Sequence, residues 1–392
     1  MTGEINIINV PKNTREESMK RMIAATGAAL IALATPAIAE QPTVVIMQSL
    51  TGPAAFMGAG VSEGMAMAFA EANEKAEFGA GKSVRVLVED DASDRTQALT
   101  LITRHANAPE VRMILGPTSG AVAIAGAELG NRLELPIVTL TNNLDIPAAG
   151  PWGFISTQPP RQMMSYLADF AADTRKVERC STVSIKEIEV YVALRAAFED
   201  LVREKGVAVV SSESVSSSDI DFSTLATKIA GQDIDCLFIS AMAAQGGNIV
   251  RQLREAGLDE KVEIFGMNTF SSPEFTQTGG GATEGVYMLS DWVPGGFNDF
   301  SVAFAQNFQA HAGRAPDNWA ALGYTIGRVA IEAMKAAGPE SGRDAIRDAL
   351  SATRDVASVI GSGSYSYVDD RSPVSGSNVV QIRNGTAVLY TE

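Results

Sequence analysis

The sequence predicts an α/β protein built as two Rossmann-like lobes. Three observations lead there. Short apolar runs alternate with longer amphipathic stretches from Thr43 onward. The rhythm breaks at a polar segment over 150–160 and then begins again. After Trp292 the chain turns helical, and from Ser364 it ends in short alternating runs that suggest an antiparallel tail. Strands alternating with helices imply right-handed βαβ crossovers and parallel sheets, and two such series make two lobes.

The first strand is expected over 43–47. It leads into Leu50-Thr51-Gly52-Pro53-Ala54-Ala55-Phe56-Met57-Gly58-Ala59-Gly60, a turn rich in Gly and Pro, and then a helix over 61–73 with Met65, Ala68, Phe69 and Ala72 at helical spacing. A strand over 84–88 ends in the acidic turn Glu89-Asp90-Asp91-Ala92-Ser93-Asp94. There Ser93 or Asp94 is placed to cap a helix over 95–107, because a short oxygen side chain accepts from the first free N–H groups. A strand over 113–115, the turn Gly116-Pro117-Thr118-Ser119-Gly120, a helix over 121–131 and a strand over 136–140 complete the first series. The second series predicts helices over 162–173, 193–205, 222–230 and 248–256, with strands over 181–185, 207–210, 236–240, 262–265 and 286–289. Helices over 300–312, 319–337 and 343–352 have no strands of their own to cover. The chain is therefore expected to cross back to the first lobe near Asp291 and to return near Ser364.

Composition narrows the function. The chain has 392 residues, 46% hydrophobic and 20% charged, with a net charge of −15, and this acidic balance argues against nucleic acid as a partner. Two histidines, His105 and His311, and two cysteines, Cys180 and Cys236, give a metal site little to work with. Gly58-Ala59-Gly60 with Gly64 misses the dinucleotide spacing. The serine of Gly116-Pro117-Thr118-Ser119-Gly120 is one place late for a nucleophile elbow. Asp90, Asp91 and Asp94 lack the remaining ligands of a calcium loop. No catalytic residue, metal or cofactor is expected. Cys180 and Cys236 each begin a second-lobe strand, which suits either a disulfide or two buried thiols.

Residues 1–39 read as an N-terminal extension and signal peptide: Lys20 and Arg21, an apolar core over 23–34, and Ala37-Ile38-Ala39 as a cleavage signature before Glu40. Met19 makes a more ordinary start than Met1, because acidic residues precede it. Cleavage implies an exported, periplasmic protein.

Leu50-Thr51-Gly52-Pro53 with Gly58, Val88-Glu89-Asp90-Asp91-Ala92-Ser93-Asp94, Leu115-Gly116-Pro117-Thr118-Ser119, Leu135-Pro136-Ile137-Val138-Thr139, Asp221-Phe222-Ser223 and Ala256-Gly257-Leu258 follow one another in a telling order. With them, 43–392 resembles the leucine/isoleucine/valine-type solute-binding proteins of bacterial ABC transporters. The resemblance implies the type I periplasmic binding protein fold: two lobes, a hinge crossed three times and a ligand closed between them. It divides the chain into 40–158 plus 292–362 and 159–291 plus 363–392.

It also implies ligand contacts. On the first lobe they fall at Met57, at Ser119 and Gly120 (where Ser119 equally suits a cap for its own helix), and at Thr141, Asn142 and Asn143. On the second they fall at Val190 or Tyr191, at Met242, and at Asn268, where the family has an acid that pairs with an α-ammonium. Lys186, at a strand end, could aid an anion. Asn268 departs from the pattern, so amides and simple carboxylates stand beside branched-chain amino acids as ligands. The implied function is a monomeric, non-enzymatic binding protein that delivers its ligand to an ABC permease. The alternative is a sensor of the same fold that reports to a receptor or kinase. A hydrolase finds no base and nucleophile here.

Overall fold

The computed structural model describes residues 41–118, 120–293, 295–368 and 371–391. The signal peptide, both candidate start residues and Ser119 lie outside the described residues. The first sheet is fully parallel, in the order β2-β1-β3-β4-β5. Its strands are β1 (Thr43–Gln48), β2 (Arg85–Asp90), β3 (Val111–Leu115), β4 (Ile137–Thr139) and β5 (Gly153–Ile155). Between them run α1 (Ala55–Glu74), α2 (Arg95–Ala106), α3 (Gly120–Leu133) and the single turn α4 (Asp145–Ala148). Side chains alternate across a strand. Val44 and Ile46 therefore face α1, while Val45 and Met47 face α2 and α3. A strand covered on both faces reads as an unbroken apolar run, which is how β1 appears in the sequence.

The chain then builds a second sheet, in the order β15-β14-β10-β9-β8-β6-β7. Its parallel part is β6 (Arg179–Ile185), β7 (Ala208–Val215), β8 (Cys236–Ser240), β9 (Glu263–Gly266) and β10 (Tyr287–Ser290). The intervening helices are α5 (Pro160–Asp169), α6 (Glu189–Glu204), α7 (Ser223–Ala230), α8 (Ala243–Glu255) and α9 (Pro273–Gly279). Cys180 and Cys236 lie opposite each other on β6 and β8, 4.3 Å apart at Cα, and form a disulfide.

Next come α10 (Asp299–Ala312), α11 (Asn318–Ala337) and α12 (Arg343–Ser351). Their Phe304, Phe308, Ile331 and Leu350 join Val44, Ile46, Met113 and Leu115 in one core, so these helices do return to the first sheet. A small antiparallel sheet of β11 (Val356–Ala357), β12 (Ser364–Tyr367) and β13 (Pro373–Val374) follows, before β14 (Asn378–Arg383) and β15 (Thr386–Leu389) close the edge of the second sheet.

Several boundaries differ from the sequence expectation for physical reasons. Helix α1 starts at Ala55 and absorbs Gly58-Ala59-Gly60, expected as turn. These glycines serve contact: a Cβ at Gly58 would lie 2.2 Å from the Ser49 carbonyl oxygen, and one at Gly64 2.1 Å from that of Ala320. Strand β5 lies inside the polar segment because its three residues are buried beside β4. Residues 364–367 still pack with the first sheet. Tyr365 and Tyr367 lie in its core, and the Tyr365 hydroxyl donates to the Ser156 carbonyl at 3.2 Å. The second sheet resumes only at Asn378, later than the return expected near Ser364. No helix among the described residues is long and apolar enough to cross a membrane.

Candidate ligand-binding site

In parallel α/β sheets the crevice beyond the carboxyl ends of the strands is where ligands bind. Here the carboxyl edges of both sheets carry the loops of interest. At the first edge, Gln48 donates to the Leu115 carbonyl at 2.9 Å and accepts from the Thr118 hydroxyl, which also accepts from the Ser49 amide at 3.3 Å. These buried bonds lock the exit of β1 to that of β3. Gly116 permits the lock: its φ is +137°, and a Cβ there would meet the Met47 carbonyl oxygen at 1.7 Å.

Asp90 holds the neighbouring loop, accepting from the amides of Leu50 and Ala92 at 2.9 and 2.8 Å and from the Thr51 hydroxyl at 2.7 Å. Burial pushes its carboxyl pKa up, but these donors outweigh burial and hold it below the ordinary value. Asp94, one of the two candidates, caps α2 by accepting from the Gln97 amide at 2.7 Å.

Met57 sits partly buried in the first turn of α1, beside Phe56, which is 69% exposed and meets Trp319 edge-on at 6.2 Å. Gly120 opens α3 and is exposed. Thr141, Asn142 and Asn143 follow β4 and are partly buried. Asn143 accepts from the Asp145 amide at 2.8 Å, which ties its side chain to the start of α4. Thr141 Oγ1 accepts from the Asn143 amide at 3.3 Å.

At the second edge, Tyr191 lies in the first turn of α6 and Val190 beside it. Tyr191 is buried against the second core, and burial pushes its phenol pKa up. Met242, at the start of α8, is 46% exposed. Lys186 is exposed and stands 3.9 Å from Glu187, as a solvated surface pair.

Asn268 follows β9 and is partly buried. Its amide donates to Asp291 Oδ2 at 3.4 Å. Asp291 follows β10 and was not among the residues picked out as ligand contacts. The signal available in the sequence was an acid directly behind a strand end at an expected chain crossing. Asn318, at the start of α11, is a second amide placed toward this carboxyl. Desolvation raises its pKa, against the two amide donors that lower it.

Three passages join the two edges. Gln158, between β5 and α5, donates to the Gly376 carbonyl at 2.9 Å. The Asp291 carbonyl accepts from the Gly361 amide at 2.7 Å, and Asn378 donates to the Gly361 carbonyl at 3.0 Å. A cavity of about 620 Å³ lies elsewhere, between α11 and α12. In its lining Arg328 pairs with both Glu77 and Glu332. Among the described residues no group of His, Cys, Asp or Glu could hold a metal ion.

The family profile described as "Periplasmic binding protein" matches residues 42–387. Leu/Ile/Val-binding protein BraC3 of Rhizobium johnstonii is 26% identical over 358 residues, spanning 89% of this chain and 94% of its own. Among solved structures, the branched-chain amino acid transporter substrate-binding protein LivJ of Streptococcus pneumoniae, in complex with isoleucine, superposes with a TM-score of 0.73 at 22% identity. That match covers 90% of this chain and 100% of the other. A solute-binding protein of an ABC transporter from R. palustris, in complex with benzoate, superposes with a TM-score of 0.71 at 19% identity, covering 89% and 95%. At these identities the two structures share the fold.

Proposed function

Because this chain belongs to the periplasmic binding protein family, we propose that it is an extracytoplasmic solute-binding protein of an ABC importer. It closes two lobes over a small polar or amphipathic ligand and delivers that ligand to a membrane permease. The observation that carries this reading is the joining of a parallel and a mostly parallel sheet, carboxyl edges carrying the candidate loops, through passages at Gln158, Asp291 and Gly376. Contacts from both edges to one ligand favour the closed arrangement, so binding shifts a hinge equilibrium. The lobes are 40–158 plus 292–362 and 159–291 plus 363–392, and the packing of Tyr365 and Tyr367 supports moving the last division to about 375.

Met57, Ser119, Gly120, Thr141, Asn142 and Asn143 form the first lip; Tyr191, Met242 and Asn268 form the second. A branched-chain amino acid, or a related amide or carboxylate, suits the relatives named for Leu, Ile and Val. The chain acts as a monomer in the periplasm after removal of its signal peptide before Glu40, and does no chemistry on the ligand.

A thermal-shift screen of amino acids, amides, and aliphatic and aromatic carboxylates tests this. A ligand at 100 times its Kd stabilises by about 2.7 kcal/mol and should shrink the molecule in X-ray scattering. A melt that no compound moves, with one rigid shape throughout, rejects the reading.

A further inference from the structure

Each passage between the two sheets is very short. The first is Gln158 alone. Before it, the Thr157 amide still bonds the Thr141 carbonyl behind β4, at 3.3 Å; after it, the Pro159 carbonyl already accepts from the Met163 amide in α5, at 2.9 Å. The second is Asp291, between Ser290 at the end of β10 and Trp292, whose side chain lies in the core of the first sheet. The third is Gly376-Ser377. On one side of it the Ser375 carbonyl accepts from the Ser362 amide at 2.7 Å, and on the other Asn378 opens β14.

Gln158 reaches from the first passage across to the third. It is 2% exposed, and its amide nitrogen donates to the Gly376 carbonyl at 2.9 Å and to Ser377 Oγ at 3.3 Å. Its amide oxygen accepts from the Ser375 amide at 3.5 Å and from the Tyr166 hydroxyl of α5 at 3.4 Å. Both donors and both acceptor sites of the side chain are used. An amide buried in this way is held firmly, because losing a partner leaves a desolvated polar atom. The chain around it is stiff. Pro159 and Pro160 fix their own φ angles where α5 begins, and a residue before proline is confined to extended backbone. On the third passage Gly376 has a φ of +76°, and a Cβ there would meet Ser362 at 2.9 Å.

Three short pivots moving independently would let the lobes bend, twist and slide. A rigid tie between two of them removes the sliding and leaves bending as the soft motion. We propose that Gln158 is a positioning residue for ligand capture, a buried brace between the first and third passages that restricts the lobes to one closing motion. It raises affinity without touching the ligand, because fewer open arrangements are lost when the lobes close. This rests on the two-lobed binding reading above.

The test places spin labels at Thr100→Cys on α2 and Thr227→Cys on α7 of the mature chain, both exposed positions, the native cysteines being joined to each other. Pulsed electron resonance then reads the distance distribution between the lobes. Without ligand, Gln158→Ala should widen that distribution about twofold. Gln158→Glu keeps the size and the acceptor but loses the donor to Gly376, and it should widen the distribution too. With L-leucine as the probe, both variants should bind about tenfold more weakly, mostly through faster dissociation. Should neither variant fold, Ser377→Ala, which removes one acceptor, decides in their place. Should wild type not bind L-leucine, the distributions of the free protein decide. A lowered melting temperature with an unchanged distribution shows a merely structural glutamine and overturns the inference, as does a widened distribution with unchanged L-leucine affinity. Either result leaves the two-lobed reading standing. A wild-type distribution that is narrow, and that no compound of the thermal-shift screen moves, sinks that reading and this inference with it.

Discussion

Arg328 grips Glu77 with two parallel hydrogen bonds of 2.9 and 2.8 Å, fastening α11 to the turn behind α1. The bonds from Arg328, opposed by burial and aided by Lys335, hold the Glu77 carboxyl down at about 2. A depressed acid contributes stability above its unfolded value and loses it as pH falls through the folded one. The window here runs from about 4.5 to about 2. Glu77→Gln should cost on the order of 2 kcal/mol at pH 7 and almost nothing at pH 2. Urea melts across that range check it; a cost independent of pH would show that packing, and not charge, is what Glu77 supplies.

Helices α1 and α11 cross on glycine. A Cβ on Gly64 would lie 2.1 Å from the Ala320 carbonyl oxygen, and one on Gly323 2.1 Å from that of Val61. Backbone cannot yield as a flexible side chain does, so Gly64→Ala should destabilise by about 1–3 kcal/mol despite the better helix propensity of alanine. Gly206→Ala, with no neighbour within 4 Å but a φ of +87°, is the control for backbone strain alone. A Gly64→Ala melt at or above wild type would mean that the helices cross less closely.

The bond between Cys180 and Cys236 closes a loop with a sequence separation of 56. A loop of this size gives a disulfide roughly 2–4 kcal/mol of stabilisation through the unfolded chain. Without reductant, denatured protein should take up no alkylating label; after reduction it should take up two labels and melt lower. Two labels on unreduced protein would restore the reading of two buried thiols.

Asp291 makes a separate prediction for the ligand-free protein. Its pKa is raised by desolvation, so the folded state holds the proton more tightly than the unfolded one. Stability therefore falls as pH climbs from the ordinary carboxylate range through the raised value, and the penalty is complete above it. Asp291→Asn should raise the melting temperature by up to about 2 °C near pH 8 and leave it unchanged near pH 3. A variant that melts lower at pH 8 would mean the carboxylate is compensated within the folded protein.

Much of the architecture was legible because the signals were local. Unbroken apolar runs marked the doubly covered strands, and helical spacing with nothing to cover marked 300–352 as returning helices. What escaped was decided at a distance. Nothing near Gly58 says that it will rest on the Ser49 backbone, so the stretch looked like turn and is helix. Gly153–Ile155 becomes a strand only because β4 lies beside it. At the candidate site, motif position led to Asn268 and to the loss of an acid there. That Asp291, 23 residues later, comes within 3.4 Å depends on β9 and β10 being neighbours, a pairing no local pattern announces.

The late arrival of α10 to α12 also bears on the order of events as the chain is made. When Ser290 has been added, the face of β1 and β3 that carries Val44, Ile46, Met113 and Leu115 has α1 alone above it. Phe304, Phe308, Ile331 and Leu350 are still to come. The other sheet waits for β14 and β15, among the final residues. A nascent chain thus holds two unfinished halves at once, the first waiting for α10 to α12 and the second for β14 and β15. Losing β14 and β15 would strip an edge from β10.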